Sequence, residues 1–154
     1  MPNPQPTLGF VLNDVARLLR KRFEQRARCL GLTRAQWQVL AYLSANEGIH
    51  QGGLADLLDI EPITLVRILD KLEVAGMVER RRHATDRRLW LLYLTPAAHP
   101  MLARMRLLGD ATRQEALEGL SDEERAQLLH MLTTMKRNLL DACDRPVETA
   151  DAQA

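Results

Sequence analysis

The chain has 154 residues, 46% of them hydrophobic and 27% charged, with a formal net charge of +1. This balance is typical of a soluble globular protein, and the length predicts a single domain over residues 1–154. No apolar run approaches the roughly 18–20 residues that cross a bilayer, and the N-terminus lacks a secretory pattern, so we expect a cytoplasmic protein without membrane contacts.

The first helix predicted along the chain follows a loose arm at residues 1–7. Apolar residues at spacings of three and four predict a helix over 8–31, which Gly31 ends as a left-handed C-cap. A second helix begins after Thr33, because Thr33 and Gln36 form the pattern of a capping box.

Two shorter helices are expected next. The third runs from about His50 to Leu58 and should bury four apolar residues, which are Leu54, Ala55, Leu57 and Leu58. The fourth opens with Pro62 at its first position and ends before Gly76. One face of the fourth helix is apolar, while Ile63, Arg67 and Asp70 point the other way.

The period then changes from helix to strand. Residues 78–82 and 89–95 predict two short strands joined by a polar hairpin loop over 83–88. A fifth helix begins at Thr95-Pro96, and a sixth follows the capping box of Ser121 and Glu124. Residues 145–154 should form a flexible tail.

Positive charge is concentrated in two places despite the low net charge. Residues 17–28 contain six basic residues and one acid, and residues 79–88 contain five arginines and two acids. Local basic patches of this kind are the electrostatic footprint of nucleic-acid binding. Three helices followed by a hairpin is the order of a winged helix-turn-helix, whose fourth helix here has a polar face suited to a major groove. Arg87 and Arg88 lie at the predicted hairpin tip, where they can reach the minor groove or phosphates.

The ordered motifs resemble the multiple-antibiotic-resistance regulator (MarR) family, and its SlyA-like branch most of all. The resemblance covers residues 8–142 and is carried by Leu32-Thr33 with Trp37, by 54–58, by the run from Glu61 to Gly76, by Thr85-Asp86-Arg87-Arg88 and by 92–95. It implies a mainly α fold with a two- or three-stranded β-wing. Helices in 8–31 and 96–142 would join two copies into a homodimer, and residues 33–95 would form the winged lobe.

The resemblance also implies which residues meet double-stranded DNA. Arg67 would contact bases, Arg88 would enter the minor groove, and Asp86 would pair with Arg88 and stiffen the wing. The expected DNA-binding set is Pro62, Ile63, Thr64, Arg67, Lys71, Arg82, Asp86, Arg87 and Arg88. Arg67 as a solvated surface charge and Arg88 as a purely structural partner of Asp86 are the alternatives.

A second site is implied for a small molecule. Members of the SlyA-like branch bind small aromatic carboxylates, and Arg17, Arg20 and Trp37 match positions that line that cleft. Arginine suits a carboxylate and tryptophan offers an aromatic face. The alternative is that Trp37 belongs to the core and the arginines are interface charges.

Three features depart from the family pattern. Many relatives carry a proline just before the Thr-Asp of the wing or one position earlier, where this chain has His83-Ala84. Gly52-Gly53 is unusual in the third helix, and Trp90 is bulkier than expected.

We therefore expect a ligand-responsive transcriptional repressor that binds a palindromic operator as a homodimer. The alternative is a winged-helix module that binds a protein partner through Ile63, Val66 and Val74. The two cysteines and four histidines match no metal spacing, and no phosphate loop or nucleophile motif is present. We expect no cofactor, no metal site, no catalytic residue and no enzymatic activity, and the Cys29 thiol should be idle.

Overall fold

The computed structural model describes residues 5–147. Its six α-helices and two strands, in chain order, are α1 (Leu8–Ala27), α2 (Arg34–Ala45), α3 (Gln51–Leu58), α4 (Pro62–Val74), β1 (Val78–Arg82), β2 (Trp90–Leu94), α5 (His99–Ala116) and α6 (Asp122–Cys143). Short 3-10 turns follow α1 and precede α5. The mainly α fold with a β-wing that the sequence predicts is confirmed.

The helix termini follow the local signals in the sequence. Gly31 lies in the left-handed region with φ of 69°, although the last residues before it, Arg28–Leu30, form a 3-10 turn rather than α-helix. The Thr33 hydroxyl accepts the Gln36 N–H and the Gln36 side chain accepts the Thr33 N–H, so the capping box of α2 is confirmed. The corresponding box at the start of α6, between Ser121 and Glu124, is confirmed too.

The third helix has a cap that the sequence did not predict. The His50 side chain caps α3, because its Nδ1 atom accepts the Gly53 N–H at 3.0 Å. Leu54 and Ala55 are buried, but Leu57 is 47% exposed, so its expected burial was wrong. On a helical wheel of about 100° per residue, Leu54, Ala55 and Leu58 share the face that packs against the core, and Leu57 lies at its flank.

The antiparallel hairpin follows α4 directly. Gly76, with φ of 74°, lets the Met77 N–H reach back to the Leu72 carbonyl and ends α4. The strands pair in a register that sets Val78 opposite Leu94 and Arg82 opposite Trp90. A single bridge between His50 and Leu91 occupies the place of a third strand.

The core is built mainly from leucines of α2, α3, α4 and β2. The largest fully buried side chains are Val39, Leu40, Leu43, Leu54, Leu65, Leu69, Leu72 and Leu92. Because β2 contributes Leu92 and Leu94 while Trp90 faces outward, part of this apolar strand packs beneath other elements, as its composition predicts.

The chain divides into two compact units, one ending at Arg113 and the other beginning at Gln114. In the second unit, the Arg125 guanidinium donates to the Gln114 side chain and to the carbonyls of Leu117 and Leu120, which fixes the turn before α6. Within Asp122–Cys143, a range described throughout, no residue is buried.

Three predictions about segments stay untested. The flexible arm at 1–7 and the flexible tail at 145–154 fall largely outside the described residues. The division into a winged lobe at 33–95 and dimerisation helices at 8–31 and 96–142 likewise stays a prediction. Among residues 5–147, no helix combines the length and apolar content of a membrane span, and no cluster of metal-ligating side chains occurs.

Candidate nucleic-acid interface

The fourth helix has one buried face and one exposed face. Leu65, Leu69 and Leu72 are buried against the core. The five residues of α4 that the sequence assigns to DNA are all exposed, and they are Pro62, Ile63, Thr64, Arg67 and Lys71. A helix anchored by one face with a polar opposite face has the form required to enter a major groove.

A shallow groove extends this exposed face toward α2. It encloses a cavity of about 190 Å³ between α4 and the first turn of α2, and it is lined by Thr33, Ala35, Gln36, Thr64, Arg67, Ile68 and Lys71. The positive end of the α2 dipole therefore lies on the same surface as the two cations of α4. The first turn of α2 is not among the predicted DNA-binding residues, although the capping box at Thr33 marks where this helix begins.

The outer part of α4 is tied to its neighbours through one arginine. The Arg80 guanidinium donates to Asp70 Oδ1 at 2.7 Å and to Glu73 Oε2 at 2.8 Å, both on α4. It also donates to Gln51 Oε1 of α3 at 3.0 Å and to the Val66 carbonyl at 3.3 Å. Arg80 is the half-buried member of the three consecutive arginines in β1, so it braces α4 instead of facing solvent.

The wing is organised around Asp86. One carboxylate oxygen, Oδ1, accepts the Arg88 backbone N–H at 3.0 Å and the Arg88 Nε–H at 3.2 Å. The backbone bond first and the guanidinium second lower the pKa of Asp86, so this carboxyl stays ionised. The predicted pairing of Asp86 with Arg88 is present, and the Arg88 side chain is still 90% exposed.

The remaining wing arginines rest on aromatic rings or project freely from the loop. The Arg81 guanidinium lies 4.1 Å from the centre of the Tyr93 ring and also pairs with Glu79. The Arg82 guanidinium lies 4.9 Å from the centre of the Trp90 ring. The bulky Trp90 thus supports a predicted DNA-binding arginine across the strand pair. Arg87 is exposed at the loop tip, as predicted.

The residues predicted to bind an effector lie apart from this surface. Trp37 packs against Phe23, with ring centres 4.5 Å apart, and its buried Nε1–H meets no acceptor among the described residues. Arg17 is exposed and bonds Asp14 at 3.3 Å, and Arg20 lies one helical turn from Glu24.

Two cavities border Trp37. A cavity of about 270 Å³ is lined by Phe23, Trp37, Ala41, Ser44, Leu102, Met105, Arg106, Gly109 and Arg113. Another, of about 360 Å³, is lined by Lys21, Glu24, Gln25, Ala27, Arg28, Leu32, Arg34 and Trp37. The structure therefore brings Trp37 together with Arg106 and Arg113 in one cavity, and Arg17 and Arg20 line neither.

The helical order, the exposed face of α4 and the arginine-bearing hairpin define a winged helix-turn-helix regulator. Residues 30–89 match the model of the MarR family. The chain is 32% identical to the transcriptional regulator PA3341, covering 88% of this chain and 99% of that one with a TM-score of 0.77. It belongs to the MarR family of transcriptional regulators.

Two other solved structures are similar. A MarR family regulator from Silicibacter pomeroyi is 29% identical, with 92% of each chain covered and a TM-score of 0.74. A MarR family regulator from Listeria monocytogenes, solved in complex with 26mer DNA, is 21% identical and shares the fold with a TM-score of 0.78. That match covers 94% of this chain and 100% of the other.

Proposed function

We propose that this regulator represses transcription by binding a palindromic operator as a homodimer and that a small aromatic carboxylate relieves repression. The proposal rests on the exposure of cationic side chains on both α4 and the wing. Arg67 and Lys71 project from the exposed face of α4, and Arg88 projects from a wing whose Asp86 holds its backbone. The DNA complex of the Listeria monocytogenes regulator supports DNA as the ligand of this fold.

The DNA contacts proposed for Arg67, Lys71 and Arg88 follow from side-chain chemistry. A planar guanidinium at Arg67 can bond two acceptors of a guanine edge at once, whereas Lys71 offers a point charge suited to phosphate. Arg88 reaches beyond the strands toward the narrow minor groove, where negative potential attracts arginine. The bound protein would block a promoter sterically.

The first test is selection of bound duplexes from a random-sequence pool. We expect an inverted repeat with half-sites about one helical turn apart. Lack of enrichment at low salt would favour the alternative module that binds a protein partner through Ile63, Val66 and Val74. Of these residues, Ile63 and Val74 are 62% and 91% exposed, whereas Val66 is half-buried.

Alanine variants then test whether Arg67 contacts a base and Lys71 a phosphate. We expect Arg67→Ala to cost about 1–3 kcal/mol on the selected duplex and to relax the preference at one base position. Lys71→Ala should weaken binding to all sequences and reduce the salt slope by about one. Arg104→Ala, which removes an exposed arginine of α5, is the charge-matched control. Equal losses for Arg67→Ala and the control would contradict base contact.

Unpartnered apolar side chains support the homodimer. In α1, Leu8, Phe10 and Leu18 are 62%, 72% and 50% exposed, and in α6, Leu129 and Leu139 are 69% and 61% exposed. Exposed leucines on this scale mark surfaces that a partner covers. Light scattering should give twice the chain mass of 17.5 kDa, and Leu129→Glu should shift the protein toward monomer.

The effector proposal rests on the smaller of the two cavities. Phe23 and Trp37 give it aromatic walls, while Arg106 and Arg113 supply cations that can bond a carboxylate. Benzoate should therefore quench Trp37 fluorescence in a Trp90→Phe background, and neutral benzamide should do so far less. Quenching that survives Arg106→Ala with Arg113→Ala would place the ligand elsewhere, such as beside the predicted Arg17 and Arg20.

A further inference from the structure

The loop that joins β1 to β2 is held by a histidine. Residues 83–88 contain neither glycine nor proline, the residues that most often fix the backbone of a turn. His83 Nδ1 accepts the backbone N–H of Asp86 at 3.1 Å and that of Thr85 at 3.2 Å. The Thr85 hydroxyl lies 3.3 Å from the same nitrogen. One half-buried imidazole thus satisfies two consecutive N–H groups of the loop.

The second of these N–H groups belongs to the residue that orders Arg88. His83 Nδ1 fixes the backbone of Asp86, and Asp86 Oδ1 in turn accepts the backbone N–H and the Nε–H of Arg88. The hydrogen bonds therefore run without a break from the end of β1 to a guanidinium that is 90% exposed. We propose that His83 is a positioning residue that sets Arg88 for DNA through Asp86, and that it does so only while its Nδ1 is unprotonated.

The dependence on the proton follows from the donors around the ring. An imidazole that accepts at Nδ1 carries its proton on Nε2, and a second proton would turn Nδ1 into a donor facing two N–H groups. The loop bonds would then be lost, and Asp86 would keep its bonds to Arg88 on an unanchored backbone.

Charged groups near the imidazole lie on the loop and on β1, and the Asp86 carboxylate interacts electrostatically with His83. On the loop itself, Asp86 is the carboxylate and Arg88 the cation that bonds it. From β1, Arg82 lies over the Trp90 ring of β2, and the loop residue that pairs with the His83 backbone is the uncharged Leu89. A protonated His83 would add one more positive charge near the phosphates, which by itself strengthens DNA binding. We expect instead that protonation of His83 weakens DNA binding, because Arg88 is then no longer held in position.

The inference rests on the proposed DNA contact of Arg88, so the experiment includes Arg88→Ala as a reference. Affinities are measured for the duplex selected from the random pool, at about pH 8 and about pH 5.5, the range in which histidine changes charge. His83→Asn places an amide oxygen near the Nδ1 position and keeps an acceptor at both pH values. His83→Phe keeps a ring of similar shape and has no acceptor.

At about pH 8 we expect His83→Asn to bind within about twofold of the unmodified protein and His83→Phe to bind about three- to tenfold more weakly. At about pH 5.5 the unmodified protein should lose affinity relative to His83→Asn and approach His83→Phe. His50→Asn serves as the matched control, because His50 Nδ1 also accepts a backbone N–H, that of Gly53 at the start of α3 rather than one in the wing.

The possible results distinguish a failure of the proposed Arg88 contact from a failure of the His83 positioning role. If Arg88→Ala binds like the unmodified protein, the proposed wing contact fails and takes this inference with it. If Arg88→Ala weakens binding but His83→Phe does not, or if the unmodified protein and His83→Asn respond to pH in parallel, the positioning role alone is overturned.

A second measurement needs no DNA and guards against a variant that misfolds. The amide resonances of Thr85 and Asp86 in the unmodified protein should shift together with the His83 ring resonances as the pH falls. If the amide resonances of Thr85 and Asp86 do not change when the ring resonances change, the positioning role is also overturned.

Discussion

Replacement of Arg80 should show whether α4 is held in place by the Arg80 hydrogen bonds or by apolar packing alone. We consider Arg80→Met, which keeps most of the side-chain stem and removes the guanidinium. The Arg80 side chain is only 18% exposed, whereas its partners Asp70 and Glu73 are 59% and 47% exposed. In the variant, water can therefore replace much of the hydrogen bonding that Asp70 and Glu73 lose. The Gln51 and Val66 oxygens are less accessible to water, so the loss of their hydrogen bonds costs more.

The expected loss of stability follows from these exposures. Each half-exposed ion pair contributes about 0.2–1 kcal/mol, and each of the two less exposed hydrogen bonds contributes about 1 kcal/mol. Arg80→Met should lower the free energy of unfolding by about 2–4 kcal/mol, as measured by urea denaturation at a fixed protein concentration. Arg81→Met is the matched control, because Arg81 is the next residue of β1 and bonds Glu79 on the surface.

The same variant has a consequence for DNA binding. Loss of the Arg80 bonds loosens α4 at Asp70 and Glu73, beyond the exposed turn that carries Arg67. Affinity for the selected duplex should fall more than affinity for a scrambled duplex of equal length. A loss of stability below about 0.5 kcal/mol, the size typical of a surface substitution, or a larger loss for Arg81→Met would refute the bracing role.

Two further predictions concern the core and the acid range. Leu69→Ala, at a fully buried position of α4, should lower the free energy of unfolding by about 2–5 kcal/mol, whereas Leu57→Ala at its exposed position should stay within about 0.5 kcal/mol, both measured by urea denaturation. The Arg34 side chain lowers the pKa of Glu24 below its usual 4.5, so this pair stabilises the fold above that pH and the contribution is lost as the pH falls through the lowered pKa. In Arg34→Ala, an NMR titration should return the pKa of Glu24 to near 4.5, and an unchanged value would contradict the pairing.

The features predicted correctly from the sequence are those set by neighbouring residues. A capping box joins residues three positions apart, as at Thr33 and Ser121, and Gly76 ends α4 through its own backbone conformation. The division of α4 into a buried and an exposed face follows from helical period alone, which is why Leu69 and Arg67 were assigned to opposite sides.

The features missed depend on residues that are distant in the chain. The bonds from Arg80 to Gln51 and to Asp70 join residues 29 and 10 positions apart, so only the approach of β1 to α3 and α4 could reveal them. Leu57 follows Leu54 at a spacing typical of a core residue, but it lies at the flank of the buried face of α3, where only the packing of other elements could cover it, and it is exposed. The smaller cavity beside Trp37 takes its arginines, Arg106 and Arg113, from α5, a long-range approach that residue spacing does not reveal, and the assignment of Arg17 and Arg20 to an effector stays a prediction.

The wing shows how a residue that departs from a family pattern can hold a loop by a different contact. A proline before the wing, as in many relatives that this chain resembles, restricts the backbone before folding and at every pH. His83 restricts it only after folding, by accepting two N–H groups, and only while Nδ1 is unprotonated. In this chain the His83 bonds leave the Asp86 carboxylate free to hold Arg88. A pyrrolidine ring offers no nitrogen that could take up a proton, so we expect only a wing held by an imidazole to lose its loop hydrogen bonds on protonation.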